Sequence, residues 1–314
     1  MAYPMVHVSA ILAFGEVTPM YNLFRLGSVI IPRLPRWFIL ALSIVTGTMA
    51  WLFASKARKQ ATINMIHVLG PEIQSTRAGR RKLRRIVRGM FQNSMRNYLE
   101  VFYLPHETPE TILRRIPHIS GTKHLEDALA LGKGVILFSA HFGPFDYLAQ
   151  WFYANDYQLT IPVERLKDGR MLDLMVSLRS SKGVHFIPLG GSAPMRTIIQ
   201  ALRNNQIVLI TGDRAVQGES VEKPFFGAMA RLPVGPAALS IRTGAPLVGA
   251  FGWHASQTHI AGEFVPLTLE LPEEKRKNTD ALMCGLIERM ERIIKAHPDQ
   301  WVVFSSIWTT EPRS

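Results

Sequence analysis

From residue 118 onward, short apolar runs alternate with longer segments whose apolar positions recur every three or four residues. "GVILFSAH" (134–141), "YQLTIPVE" (157–164), "VHFIPL" (184–189) and "QIVLITGD" (206–213) have the length and composition of strands. "APLVGAFGW" (245–253), "IAGEFVPLTLEL" (260–271) and "WVVFSS" (301–306) extend the series. Between them, "KHLEDALALG", "DYLAQWFYAN", "RMLDLMVSLRSSKG", "APMRTIIQALRNN" and residues 280–296 carry the helical period. Strands alternating with helices of this length predict an α/β fold. The expected architecture is a mixed, largely parallel sheet covered by helices on both faces.

The first part of the chain has a different texture. "WFILALSIVTGTMAWLFAS" (37–55) contains no charge and is flanked by Arg33 and Arg36 before it and by Lys56, Arg58 and Lys59 after it. That length is at the lower limit for crossing a bilayer as a helix. Three readings compete: a spanning helix, a helix or hairpin lying in one leaflet, and a buried core helix. Trp37 and Trp51 near its ends favour membrane contact. The first twenty residues hold no Lys or Arg, so the basic start of a secretory signal is missing. The chain is therefore divided into a membrane-associating, apolar helical segment, residues 1–60, and a second part, residues 61–314.

Two further helices follow the apolar segment. "KARKQATINMIHVLG" is closed by Gly70 with Pro71 behind it. Residues 77–104 then set Leu83, Ile86, Val87, Met90 and Phe91 on one face, and Arg81, Arg84, Arg85 and Arg88 on the other. The basic face is either simply solvated or a docking surface for lipid phosphates or an acidic carrier. Charge supports the second use: the chain carries +12 at pH 7, which calls for an anionic partner. The basic run has no interleaved aromatics and no nucleic-acid motif is present, so nucleic acid is not the expected partner. The single cysteine, Cys284, excludes an internal disulfide and a Cys-based metal site, and its amphipathic surroundings predict buried packing.

Candidate chemistry sits at the end of the first strong strand. "SAHFGPFD" places Asp146 five positions after His141, with Gly143 for a tight turn and Pro144 for the first turn of a helix. His67 and Glu72 share the spacing, but the Gly70–Pro71 break between them marks a chance match. In open α/β sheets, ligands bind beyond the carboxyl ends of the strands. An acid that folds back onto Nδ1–H would orient His141 and leave Nε2 to take a proton from a hydroxyl. The alternative is a capping aspartate beside a hydrogen-bonded core histidine. No G-x-S-x-G elbow is present, so the nucleophile would be external. No P-loop spacing and no metal-binding pattern are visible.

Taken together, four ordered blocks resemble one family. "HFGPFD" is similar to the H-x4-D/E motif of the glycerolipid and lipid A acyltransferase superfamily. The closer likeness is to the branch of lipid A lauroyl (myristoyl) acyltransferases and phosphatidylinositol mannoside acyltransferases. Residues 212–251, "GDRAVQGESVEKPFFGAMARLPVGPAALSIRTGAPLVGAF", resemble its central block, and "HPDQWVVFSSIW" (297–308) its C-terminal signature. The N-terminal "NLFRLGSVIIPRLPRWF" resembles its membrane-proximal start.

The resemblance implies a membrane-associated O-acyltransferase at the cytoplasmic face of a bacterial inner membrane. It would move a fatty acyl group from acyl-CoA or acyl carrier protein to a hydroxyl of a membrane glycolipid. His141 would be the general base and Asp146 its orienting acid. Arg165, Arg179, Asp213 and Arg214 would lie near the substrates, with no metal and no further cofactor. Where the family has a second acid after Asp213, this chain has Ala215, which argues against a role needing two carboxylates there. The F-P-E-G-T-R block is missing, which argues against simple lysophosphatidate as acceptor. The alternatives are a thioester or lipid hydrolase using the same dyad, and a non-enzymatic basic membrane-binding protein.

Overall fold

Every residue of the "VILFS" run is buried, which explains why it is apolar without alternation. It forms the central strand of the computed structural model, which describes residues 17–164, 168–180, 183–190, 193–215 and 218–309. Helices α1 (Val17–Ile30), α2 (Arg36–Phe53), α3 (Ser55–Leu69), α4 (Arg77–Glu100) and α5 (Pro109–Arg115) come first. Then follow β1 (His118–Ser120), α6 (Thr122–Leu129), β2 (Val135–Ser139), α7 (Phe145–Ala154), β3 (Leu159–Val163), α8 (Gly169–Arg179) and β4 (Val184–Pro188). The chain continues through α9 (Ala193–Arg203), β5 (Ile207–Thr211), β6 (Ser220–Phe225), β7 (Ala228–Pro233) and α10 (Gly235–Thr243). It closes with β8 (Leu247–His254), β9 (Ile260–Pro266), α11 (Glu273–Arg276) and α12 (Thr279–Ala296).

Seven strands make one sheet in the order β1-β9-β8-β2-β5-β3-β4, parallel except that β9 runs antiparallel to β8 and carries β1 with it. Ile136 and Phe138 of β2 face a core built with α3, α4, α9, α10 and α12. Val135 and Leu137 face the opposite core, with α6, α7 and α8. The expected mixed sheet with two covered faces is what the chain forms. Side-chain caps start two of the long helices: Thr76 accepts from the Gly79 amide at 3.0 Å, and Asn278 from Ala281 at 3.0 Å. Each such cap contributes about 1 kcal/mol.

Three elements depart from the expected pattern. "WVVFSS" is not a strand; only Trp301 pairs, in an isolated bridge to Phe142. The β6–β7 hairpin turns through Phe226 and Gly227, both at positive φ (48° and 75°). A Phe-Gly turn lacks the Asn-Gly or Asp-Gly signal, so the sequence pattern hides it. Strand β1 is three residues long, too short for any periodicity.

The uncharged segment becomes α2, packed by one narrow stripe onto α4. Gly47 makes this possible, since a Cβ there would meet the Gln92 Cα at 2.5 Å. Ile39 and Ser43 complete the buried stripe, and Gln92 donates to the Thr48 hydroxyl at 2.9 Å. The other side of α2 exposes Trp37, Phe38, Ile44, Val45, Met49, Leu52 and Phe53, so it is not an enclosed core helix. Arg36 joins this segment to the body: it pairs with Glu107 and donates to the Tyr147 hydroxyl at 3.2 Å. Glu100 sits buried between Arg96 (3.0 Å) and Arg115 (2.9 Å), tying α4 to α5. Arg81, Arg84, Arg85 and Arg88 are exposed, as the helical pattern predicts. Cys284, expected inside, is exposed on α12 because it falls on the flank of the apolar stripe rather than within it.

Candidate active site

Strands β2 and β5 are neighbours, and their ends are level: Ser139 pairs with Thr211. The residues two positions beyond each partner, His141 and Asp213, are therefore brought side by side. The ladder continues through the Gly212 amide, which donates to the Ser139 carbonyl at 2.8 Å. Asp213 Oδ1 lies 2.8 Å from His141 Nδ1, and Oδ2 accepts the His141 backbone N–H at 2.9 Å. Oδ2 also accepts the indole N–H of Trp301 at 2.8 Å.

Asp213 is fully buried. Burial alone would push its carboxyl up, but the His141 charge and the hydrogen bonds from His141 and Trp301 outweigh that and hold it at about 2. An ionised carboxylate against Nδ1 assigns the ring proton to that nitrogen. The lone pair of the neutral ring then lies on Nε2.

Asp146 does not occupy the place expected for it. It is buried in the first turn of α7, and its Oδ2 pairs with Arg179 at 3.1 Å, at the end of α8. Nδ1 of His141 faces Asp213, whereas Asp146, expected to orient the ring, pairs with Arg179. Gln150 of α7 donates to the Arg179 carbonyl at 2.8 Å, so the helix that carries Asp146 also fixes the backbone of its partner. Burial raises the Asp146 carboxyl and the Arg179 charge opposes that shift. Arg214 pairs with Glu164 at 3.3 Å, on the loop after β3. Arg165 lies outside the described residues. Tyr98 of α4 stands within electrostatic reach of Arg179, Asp146 and Arg214, and burial pushes its phenol up to about 12. Among the described residues, no three His, Cys, Asp or Glu side chains converge as metal ligands would.

The turn between His141 and α7 is pinned from three sides. The Gly143 amide donates to the Gln300 carbonyl at 2.8 Å, its carbonyl accepts from Asn97 Nδ2 at 2.7 Å, and the Val302 amide donates to the His141 carbonyl at 2.9 Å. The C-terminal segment thus clasps the histidine from one side, while Trp301 reaches its acid. His67, the chance match, packs tilted against Trp308, with ring centroids 4.1 Å apart. Trp301, Asn97, Tyr98 and Glu164 were not singled out from the sequence. Asp213 was, but only through the resemblance. One residue-level signal was present: "VILFSAH" and "IVLITGD" are both seven residues long and both end on a polar group. What the sequence does not say is that these two runs are adjacent.

At the end of β8, both ring nitrogens of His254 are buried, with no hydrogen-bond partner among the described residues. Burial, helped by the Arg96 charge, pulls its pKa well below the ordinary 6.5. The unfolded chain therefore binds a proton below pH 6.5 that the folded chain refuses, and stability falls as the pH drops through that window. The slope approaches ~1.4 kcal/mol per pH unit for one proton. In His254→Leu, thermal unfolding between pH 6.5 and 5 is expected to lose that contribution; an unaltered slope would show that another group is responsible.

An α/β sheet with a carboxylate-held imidazole at the carboxyl ends of its central strands is a class suited to acid–base chemistry on a bound hydroxyl. The chain belongs to the family described as bacterial lipid A biosynthesis acyltransferase, which matches residues 19–310. It is 31% identical over 219 residues to a phosphatidylinositol mannoside acyltransferase of Mycobacterium tuberculosis (strain CDC 1551 / Oshkosh), covering 69% of this chain and 68% of the relative. It is 27% identical over 228 residues to a phosphatidylinositol mannoside acyltransferase of Mycolicibacterium smegmatis, covering 72% of this chain and 73% of that one. The protein is an acyltransferase of this family, which sets aside the non-enzymatic alternative.

Proposed function

We propose that the protein moves a fatty acyl group from an acyl thioester to a hydroxyl of a membrane glycolipid, phosphatidylinositol mannoside-like or lipid A-like. The observation that carries this reading is the bond between His141 Nδ1 and the ionised Asp213. It leaves Nε2 as the proton acceptor for the acceptor hydroxyl. As that proton leaves, the alcohol oxygen attacks the thioester carbonyl. The tetrahedral adduct then collapses, the C–S bond breaks, and the departing thiolate takes the proton back from the imidazolium. Asp213 steadies the imidazolium between these steps. In this reading Asp146 holds Arg179 in place, and Arg179 and Arg214 supply positive charge for the adduct oxyanion or a substrate phosphate. Arg165 belongs to the same group of substrate contacts. The donor is acyl-CoA or acyl carrier protein, and no resident cofactor is called for.

The exposed apolar side of α2, with Leu23, Leu26 and Val29 of α1, lies next to the basic face of α4. Trp51 bridges the two, with Arg58 at 5.7 Å and Arg84 at 5.8 Å over its ring. An apolar ridge beside a row of cations suits the surface of an anionic bilayer. In this reading residues 1–60 hold the catalytic part, residues 61–314, against the cytoplasmic face of the inner membrane, where a lipid acceptor and a soluble donor meet.

The test is transfer from radiolabelled long-chain acyl-CoA into vesicles containing bacterial glycolipid. Wild type should label a glycolipid and His141→Ala should not; equal labelling by both would remove His141 from the chemistry. In the same vesicles, Val45→Glu with Leu52→Glu should abolish co-sedimentation, and unchanged pelleting would count against the membrane reading.

A further inference from the structure

We infer that Trp301 is a positioning residue for the acyl transfer, setting both the orientation of Asp213 and the proton affinity of His141 from the C-terminal segment. The inference rests on the reading of His141 as general base.

Asp213 has one oxygen committed to the imidazole and the other shared by two donors. The imidazole and the His141 backbone N–H each hold one oxygen; the second donor on Oδ2, from a rigid bicyclic ring, adds a third anchor from a different part of the chain. The ring itself is enclosed: it is fully buried, with Phe225 edge-on at 6.0 Å and Phe226 at 6.5 Å. Its backbone is held by the clasp in which Gln300 accepts from Gly143 and Val302 donates to His141. The indole is a donor only, so it favours the ionised carboxylate and nothing else.

The same hydrogen bond draws negative charge toward Oδ2 and away from the oxygen that faces the imidazole. Its loss concentrates that charge on Oδ1, stabilises the imidazolium, and moves the acidic limb of the rate profile to higher pH. A merely structural role for Trp301 predicts a different result, a uniform loss at every pH. Titratable groups on the surrounding elements are Asp146 with Arg179, Glu164 with Arg214, Tyr98, His254, His297 and Asp299. The Trp301 indole N–H donates to Asp213 and to none of these groups.

The experiment compares wild type with Trp301→Phe and with the benzothienyl analogue at position 301, which keeps the ring shape and lacks the N–H. Acyl transfer from long-chain acyl-CoA is followed from pH 5 to 9, with thermal unfolding alongside. For the analogue, kcat should fall about tenfold with donor KM unchanged, and the acidic limb of kcat/KM should rise by about half a pH unit. An unchanged profile, or a loss without the shift, overturns the inference, and the analogue decides this even where Trp301→Phe unfolds. His141→Ala in the same assay separates the two readings. Activity retained there removes the base itself. Activity lost there, with the analogue behaving as wild type, removes only the role of Trp301.

Discussion

Asp213→Asn is expected to reduce acyl transfer by about 1,000- to 10,000-fold while leaving the fold intact. The size follows from the donors around the carboxylate. Oδ2 accepts two N–H groups, from the His141 backbone and from Trp301. An asparagine must therefore keep its oxygen at that position, because its NH2 cannot accept. The NH2 is then forced toward His141 Nδ1, which becomes an acceptor, and the ring proton moves to Nε2. A histidine protonated at Nε2 cannot take a proton there. Asp146→Asn has no such consequence, since an amide oxygen can still accept from Arg179; a loss of about tenfold is expected from the weaker pairing. Steady-state kinetics on both variants, with circular dichroism to verify folding, decides the order. If Asp146→Asn is the more damaging, the acid of the H-x4-D motif does the orienting in the working enzyme.

Gly143→Ala should cost both turnover and stability, through the backbone. Gly143 has φ +58°, a region that disfavours any residue with a Cβ. Its Cβ would also press into the Gly252 carbonyl of β8, with the Trp253 Cα at 3.2 Å. Neither neighbour is a flexible side chain, so the His141 turn must move away from the sheet. Destabilisation of about 2–4 kcal/mol is expected from the strained backbone and the lost contacts. A displacement near 1 Å at the base lowers kcat by about 100-fold. Thermal unfolding and kcat together test this. A variant with wild-type melting and turnover would mean that the turn has slack the packing does not reveal.

Elements whose signal is periodic were legible in the chain. β2, β5 and β8 announce themselves by continuous apolar runs, and α4 and α12 by a 3.6-residue stripe. The sheet's class followed from the alternation of the two. What escaped were short or atypical elements: β1, with three residues, and the β6–β7 hairpin, whose Phe-Gly turn carries none of the residues that usually mark one. Cys284 shows the limit of the helical pattern, which locates a stripe to within a residue but not which flank meets solvent.

The sequence by itself determined that His141 stands at the carboxyl end of a buried strand and that Asp213 ends a run of equal length. It also determined that an uncharged segment and a basic helix precede the sheet. Only the tertiary structure decided which acid meets the imidazole. Local spacing brought Asp146 near in the chain, but a helix start aims its side chain at Arg179. Asp213 lies 72 positions away and arrives through strand order and register. Strand order is set by packing the two cores and by right-handed crossovers among many residues at once. No single stretch of sequence encodes it, and so the partner of His141 could be read only once β5 was seen beside β2.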